Sequence, residues 1–577
     1  MAASPDPARE DPVYDVAVLG SGVAGAILAM ILARHGFSVL MLEAGSHPRF
    51  AIGESVVPEF GALARVLAER FDVPELAHLS TFQGIRHHVS ASCGIKKNFS
   101  FLHHTDAQEP RRDDWCQFQT MTTPLGPDTH VYRPDLDAWL TAFAVRYGAT
   151  YRERTRVDDV ALEADGVRLQ AGETTFRARF LADGSGHRSL VATKLGLRKE
   201  VDLGTDSRSI FTHMVGVKGL GEALAGGPCP LPSDPDQGTL HHLFDGGWFW
   251  VIPFDNHALA VNPVCSVGLT LDRRQHPDND EEAEAEFFRF VERFPVVRRQ
   301  LQGARAVRSW IKTGRIQYQS TRLAGDRWCL LPHSAGFLDA LFSGGLVLTL
   351  LGTQEVATAL MDGLREDDLR AERFAAYEEG SQDNLATLDK VVHGAYLAFR
   401  SRDLFNAWYR VWAVGNYHGS AAFIRLHMKY LETRDPKVLD LVRTAPYRRT
   451  LGTDQPRVRA LIDEGYRILT AVDRGEVAEG DGVERLFQLL GRQDWVPPQF
   501  QIARRERRHL ASFTVLPLLA MILWGKRRAP EDMRPVYYDV GPVFFWELTK
   551  ALGREAWRGL RTTWRVFAAA HWTRGRS

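Results

Sequence analysis

A chain of 577 residues is too long for one simple domain, and its 45% hydrophobic and 25% charged residues are those of an ordinary globular protein. Basic and acidic residues balance at 71 each, so no global field favours nucleic acid or a membrane surface. Five cysteines, at 93, 116, 229, 265 and 329, show no C-x-x-C spacing, which fits reduced thiols in the cytoplasm better than a secreted disulfide framework.

Residues 1–13 are polar, contain no signal-peptide core and are expected to be disordered. The run YDVAVL at 14–19 reads as a strand, and Gly20-Ser21-Gly22-Val23-Ala24-Gly25 turns it into an alanine-rich helix. FSVLMLE at 37–43 is the next strand, completing a βαβ unit. Residues 160–182 alternate around Gly166 and Gly172 as a small β-meander, and 239–271 read as short antiparallel strands. Residues 326–362 return to strand, turn and long helix, and beyond about 385 helical patterns dominate. The apolar run 513–524 is short of the roughly 20 residues a spanning helix needs and contains Pro517, so it reads as a buried or interfacial helix.

The glycine turn carries chemistry because its context is complete. Gly20 permits the tight turn, Gly22 lets backbone approach a pyrophosphate, and Gly25 permits close helix–strand packing. The pyrophosphate would sit on the helix N-terminal amides around Val23 and Ala24. Glu43 ends the second strand, where a carboxylate can hold ribose hydroxyls. NAD and FAD both fit this much. Leu181-Ala182-Asp183-Gly184-Ser185-Gly186 resembles the second FAD strand of glutathione-reductase-like flavoproteins, and Gly325-Asp326-Arg327-Trp328-Cys329-Leu330 the third flavin segment. The usual Gly-Asp-Ala is replaced by Pro332-His333-Ser334-Ala335-Gly336, which puts His333 where an aspartate normally meets the ribityl chain. The resulting expectation is an α/β (α+β overall) chain. Its FAD-binding Rossmann-like domain, of the glutathione-reductase and aromatic-hydroxylase type, spans 14–385, with a β-sheet substrate region inserted at about 80–135 and 205–320. A helical C-terminal region spans 386–577.

Three further segments narrow the chemistry. They are Ile52-Gly53-Glu54-Ser55 followed by Pro58, the Trp-x-Trp-x-Ile-Pro run Gly247-Trp248-Phe249-Trp250-Val251-Ile252-Pro253, and Gly336-Phe337-Leu338-Asp339-Ala340-Leu341-Phe342-Ser343-Gly344-Gly345. In these the chain resembles flavin-dependent halogenases. It is nearest the pyrrolnitrin-pathway branch, through SHPRFAIGES (46–55, with Arg49), GIKKNFSF (94–101) and NAWYRVWAVG (406–415), and more loosely the chlortetracycline branch. The resemblance implies FAD, used as FADH2 from a separate flavin reductase, with O2 and chloride or bromide. A flavin C4a-hydroperoxide would make hypochlorous acid, which a lysine presents to a small aromatic substrate, free or carrier-bound. It further implies that Glu54 and Ser55 lie beside the flavin, that Trp248 and Trp250 wall it off from substrate, and that Ser343, Gly344 and Gly345 hold the halide. Neither a metal, a nucleic acid nor a membrane is expected, and a homodimer is compatible with the resemblance. Ala340 and Gly344 depart from the proline and arginine of that branch.

The family lysine needs a separate argument, because Phe82 is followed by Gln83-Gly84-Ile85 rather than by Phe-x-x-Lys spacing. Lys96 and Lys97 are the candidates, with Arg86 behind them, and strand alternation lets only one face the site. Lys96 is favoured because the pyrrolnitrin branch reads GIKRN. Phe342 stands where tryptophan halogenases carry a glutamate, which points to an already electron-rich ring such as a pyrrole or phenol. Arg133 resembles an arginine near FAD in hydroxylases, with a helix-capping or salt-bridge role as the alternative. His103-His104 and His241-His242 have no third ligand at metal spacing. An aromatic monooxygenase or reductase of the same fold, or a flavin-binding protein with a helical partner-binding tail, remain the rival readings.

Overall fold

The computed structural model describes residues 12–120, 126–198, 202–224, 229, 231–510, 515–550 and 553. Residues 1–11, expected to be disordered, lie outside these, and the first strand already begins at Val13.

The first sheet is the nucleotide-binding layer. Strand β1 (Val13–Leu19) is buried at 16–19, as a parallel strand covered on both faces must be. Helix α1 (Val23–Arg34) follows and leads to β2 (Val39–Leu42), which pairs parallel with β1 through Val16↔Val39. Helix α2 (Pro58–Arg70) comes next, started by a proline at its first turn. The chain then leaves for β3 (Gly94–Lys96), β4 (Asn98–His103), β5 (Trp115–Gln119) and β6 (Asp128–His130), and returns through a helix, Arg133–Arg146, to β7 (Thr150–Arg152) beside β2. A meander of β8 (Asp159–Leu162), β9 (Val167–Ala171) and β10 (Thr174–Asp183) brings β10 parallel to the other side of β1. The strand Trp328–Leu330 pairs with β10. Because chain order reverses at β1, its carboxyl end is the crevice where such a sheet takes a ligand.

The second sheet joins two excursions of the chain. Strands β11 (Ser207–Val215), β12 (Thr239–Phe244), β13 (Gly247–Pro253) and β14 (Val264–Asp272) run β11–β14–β13–β12 in space, all antiparallel. β12 then pairs parallel with β4, through Thr239↔Phe99 and His241↔Phe101, and β4 with β5. β3 and β6 form a separate ladder in which Lys96 faces Asp128 and Gly94 faces His130.

Helices close the structure. Gly345–Glu366 is apolar and long enough to cross a membrane, but it is mostly buried inside the protein. Ala375–Ala398 runs unbroken through the expected boundary at 385, because its helical pattern does not pause there. Arg402–Thr433 is buried from Leu404 to Met428, and its Trp412 packs on Phe99, Phe118 and Phe342. The region expected to be helical also supplies a strand, His509–Leu510, to the edge of β5. In the helix Val515–Arg528, Leu518, Met521 and Ile522 are buried while Leu516 and Leu523 face outward.

Candidate active site

The glycine turn after β1 has the geometry its sequence demands. Gly20 adopts φ +85°, and a Cβ there would lie 2.7 Å from the Gly184 carbonyl oxygen. A Cβ on Gly25 would lie 2.1 Å from the Gly20 carbonyl oxygen, so α1 sits directly on the turn. At Gly22 the space is open, with Arg49 Nη2 the nearest atom at 3.8 Å. Gly22 is also the N-cap of α1, and Val23 and Ala24 begin the helix whose first amides have no intrahelical partner. The Glu43 carboxylate accepts from Ser21 N and Oγ, both at 3.0 Å, from Gly45 N, and from Arg49 Nη2 at 3.2 Å. Arg49 Nε and His47 Nδ1 are buried there without a hydrogen-bond partner among the described residues. Open backbone, helix amides, a carboxylate and the orphaned Arg49 Nε donor fit the pyrophosphate and ribose of FAD.

Other residues shape the rest of the cleft. The Asp183 carboxylate accepts from Ser185 N and Oγ, Ser189 Oγ and Val191 N, so it is used up within its own loop and acts by shaping the Gly184 turn. Arg133 is forked onto Asp137 at 2.8 and 2.9 Å and donates through Nη1 to the carbonyl oxygens of Ile52, at 2.5 Å, and Gly53. The ion pair aims the guanidinium, and the guanidinium straps the Ile52-Gly53 loop. His333 is half-buried, 3.4 Å from the Gly345 carbonyl oxygen, and desolvation and Arg133 hold it below the ordinary histidine range. Gly336 lines the same pocket, beside His333, Gly344 and Gly345.

Lys96 is wholly buried, and Lys97 points the other way. Lys96 Nζ donates to Ser55 Oγ and to the Val56 carbonyl oxygen, each at 2.7 Å, and lies 3.5 Å from the centroid of the Phe99 ring. Burial pushes this amine well below its usual range, against the pull of Asp128, whose own carboxyl burial pushes up to about 8. Ser343 Oγ donates to Ser55 Oγ at 3.1 Å, so the lysine and the expected halide segment meet at one hydroxyl. Phe342 and Ser343 have φ of +67° and +58°, and Gly344 returns to the right-handed region. The Ser343 amide donates within this turn to the Ala340 carbonyl oxygen at 3.1 Å, while the amides of Gly344 and Gly345 open the helix Gly345–Glu366, where helix N–H groups have no intrahelical partner.

Trp248 and Trp250 lie on one face of β13, ring centroids 5.7 Å apart. Trp250 Nε1 donates to Ser266 Oγ, and its ring occupies the space a Cβ on Gly268 would fill. Trp248 Nε1 donates to Tyr396 OH, which donates to Asp339 of the expected halide segment. Glu54 is buried with Oε1 2.7 Å from His213 Nε2. Asp128, His130, Thr239, His213 and Tyr396 were not singled out from the sequence; Asp128 and His130 sit a few residues before Arg133.

The tryptophan halogenase family model matches residues 101–410, more than half of the chain, and an NAD(P)-binding Rossmann-like domain model matches 18–74. Tetracycline 7-halogenase of Kitasatospora aureofaciens is 39% identical over 87% of this chain and 90% of its own length. Monodechloroaminopyrrolnitrin halogenase PrnC of Pseudomonas fluorescens is 36% identical over 94% and 96%. The crystal structure of halogenase PltM in complex with phloroglucinol and FAD superimposes with a TM-score of 0.83 at 33% identity, covering 86% of this chain and 100% of that one. The chain therefore belongs to the tryptophan halogenase family of flavin-dependent halogenases, FAD enzymes that use O2 and a halide to halogenate aromatic substrates.

Proposed function

We propose that this enzyme chlorinates an electron-rich, phenol- or pyrrole-like ring of a secondary metabolite in the cytoplasm, and that Lys96 presents the halogen to it. The observation that carries the reading is the meeting of Lys96 and Ser343 at Ser55 Oγ, at 2.7 and 3.1 Å. Reduced FAD, brought from a separate flavin reductase, supplies with O2 the oxidising power that turns chloride into hypochlorous acid. The chain's own residues do the rest. The amides of Gly344 and Gly345 hold the anion, and the Lys96 ammonium fixes hypochlorous acid by a charge-assisted hydrogen bond, or its neutral amine carries the chlorine. Substitution then balances as ArH + HOCl → ArCl + H2O, the ring proton leaving with the hydroxyl oxygen. Trp248 and Trp250 supply bulk that keeps an organic substrate from the flavin. Phenolic phloroglucinol in PltM, and tetracycline in the name of one relative, support an electron-rich ring. Phe342, in place of a carboxylate, leaves ring activation to the substrate itself.

The test supplies reduced flavin through a reductase, O2, and chloride or bromide with a panel of phenols and pyrroles, free and carrier-bound. Products are read by isotope pattern. Halide-dependent mono- or dichlorinated products are expected. Oxygenated products formed without halide would establish the monooxygenase alternative instead.

A further inference from the structure

A line of four buried side chains begins at the lysine. Ser55 Oγ, beside Lys96, is 2.8 Å from Thr239 Oγ1; Thr239 Oγ1 is 3.0 Å from His130 Nε2; and His130 Nδ1 is 2.9 Å from the Pro253 carbonyl oxygen. Lys96, Thr239 and His130 are at most 2% exposed and Ser55 8%, so water does not compete along the line. The four come from separate places: the loop before α2, β3, β12 and β6.

The direction of every bond in this line follows from its far end. A carbonyl oxygen can only accept, so His130 Nδ1 carries a proton. Burial, then the charge of Lys96, pushes this imidazole down to about 3, so it is neutral and Nε2 can only accept. Thr239 must then donate to His130, which leaves its oxygen to accept from Ser55. Ser55, its proton committed to Thr239, can only accept from Lys96, and it accepts from Ser343 as well. With its second acceptor fixed as the Val56 carbonyl, the lysine nitrogen is held by two donated bonds whose polarity it cannot reverse.

We propose that His130 is a positioning residue for Lys96. Acting through Thr239 and Ser55, it sets the polarity of the chain so that Ser55 can never donate to the lysine nitrogen. The lysine nitrogen is thereby kept from using its lone pair internally, and one fixed direction remains for an N–H or the lone pair to meet the halogen species. The anchor is the proline carbonyl that ends the Trp-x-Trp-x-Ile-Pro run, so that run orients the lysine in addition to lining the site with its indoles. This inference rests on the assignment of Lys96 made above.

Thr239→Val keeps the shape of the side chain and removes the hydroxyl. Loss of one buried hydrogen bond in the line should lower kcat for halogenation about tenfold, with KM for the aromatic substrate within about twofold. Thr239→Ser should restore most of kcat. A second measurement needs neither flavin nor turnover: 15N NMR of histidine-labelled protein, with His130 assigned by its missing signal in His130→Gln. Wild-type His130 should show a protonated Nδ1 and a hydrogen-bonded, unprotonated Nε2, and Thr239→Val should move the Nε2 resonance downfield by several ppm while Nδ1 stays. A wild-type imidazole protonated at Nε2 would overturn the proposal, and so would unchanged kcat in Thr239→Val or failure of Thr239→Ser to rescue. Lys96→Ala separates the two levels: if it halogenates normally, the lysine assignment itself has failed and this inference with it. If it is dead while Thr239→Val is normal, only the positioning role has failed.

Discussion

Lys96 and Lys97 send their ammonium groups in opposite directions from adjacent backbone positions: Lys96 Nζ reaches Ser55 Oγ at 2.7 Å, whereas Lys97 Nζ reaches Gln237 Oε1 at 2.6 Å. Lys96→Ala should abolish aromatic chlorination while FAD binding and the reoxidation of reduced flavin by O2 persist. Lys97→Ala should retain activity within about threefold, as expected of a lone polar contact away from the site. Product yield and stopped-flow flavin absorbance measure the two effects, and the opposite pattern would place the chemistry on Lys97.

Two glycines of the same turn should fail differently. In Gly25→Ala the new methyl meets the Gly20 carbonyl 2.1 Å away, so the fold should lose several kcal/mol, read by denaturant unfolding. In Gly22→Ala the nearest atom is Arg49 Nη2 at 3.8 Å, so stability should stay within about 1 kcal/mol. Its methyl would stand in the cofactor's space, and FAD affinity should fall at least about tenfold, or 1.4 kcal/mol, by titration. Full FAD affinity in Gly22→Ala would remove the pyrophosphate from this position.

Trp248 is tied through Tyr396 to Asp339, so Trp248→Phe should loosen the wall and the halide segment together. The expected result is poorer coupling, with less chlorinated product and more hydrogen peroxide per reductant consumed. Unchanged coupling would make the indole a packing residue only.

Stability should peak near pH 6 to 7 for reasons that can be separated. His130 and His241 near 3, and His242 and His418 near 4, are depressed by burial below an ordinary histidine. The folded state therefore binds fewer protons than the unfolded chain, and their contribution is present above about 6.5 and lost as pH falls through 4 and 3. Glu59 is the reverse: burial raises it to about 8, so its share of stability is intact below the unfolded value and declines from about pH 4.5 to 8, at about 1.4 kcal/mol per pH unit. Asp128, raised to about 8, acts in the same direction. Glu59→Gln keeps an acceptor for Leu451 N and Thr450 Oγ1, and should flatten the alkaline limb of a stability–pH curve while leaving its slope below about pH 4.5 unchanged. An unaltered alkaline limb would mean that Glu59 is ionised in the folded protein.

The parts of the site legible in the sequence are those in which a local rule leaves few options. Gly20 and Gly25 are forced by backbone contact, and strand alternation lets only one of Lys96 and Lys97 face the site, the choice between them resting on the resemblance. What stayed hidden depends on residues far apart in the chain. Ser55 and Thr239 are separated by 184 positions, and nothing near either hydroxyl announces the other. Asp183 shows the converse: its motif points to the cofactor, but its carboxylate is absorbed by the serines of the following turn. The helix Ala375–Ala398 runs through position 385, because a continuous helical pattern does not show where it passes from one neighbour to the next.

The parallel seam between β4 and β12 has an evolutionary consequence. Each strand belongs to a different excursion from the nucleotide-binding layer, and Thr239 sits opposite Phe99, whose ring covers the lysine. Exchanging one excursion with that of a relative would mate a foreign strand to a resident one along the line where the reaction is assembled. The smallest transplantable unit is therefore the pair of excursions. New substrate ranges in this architecture should be reached by side-chain replacement along the seam, or by inheriting both segments together, and not by shuffling a single cassette.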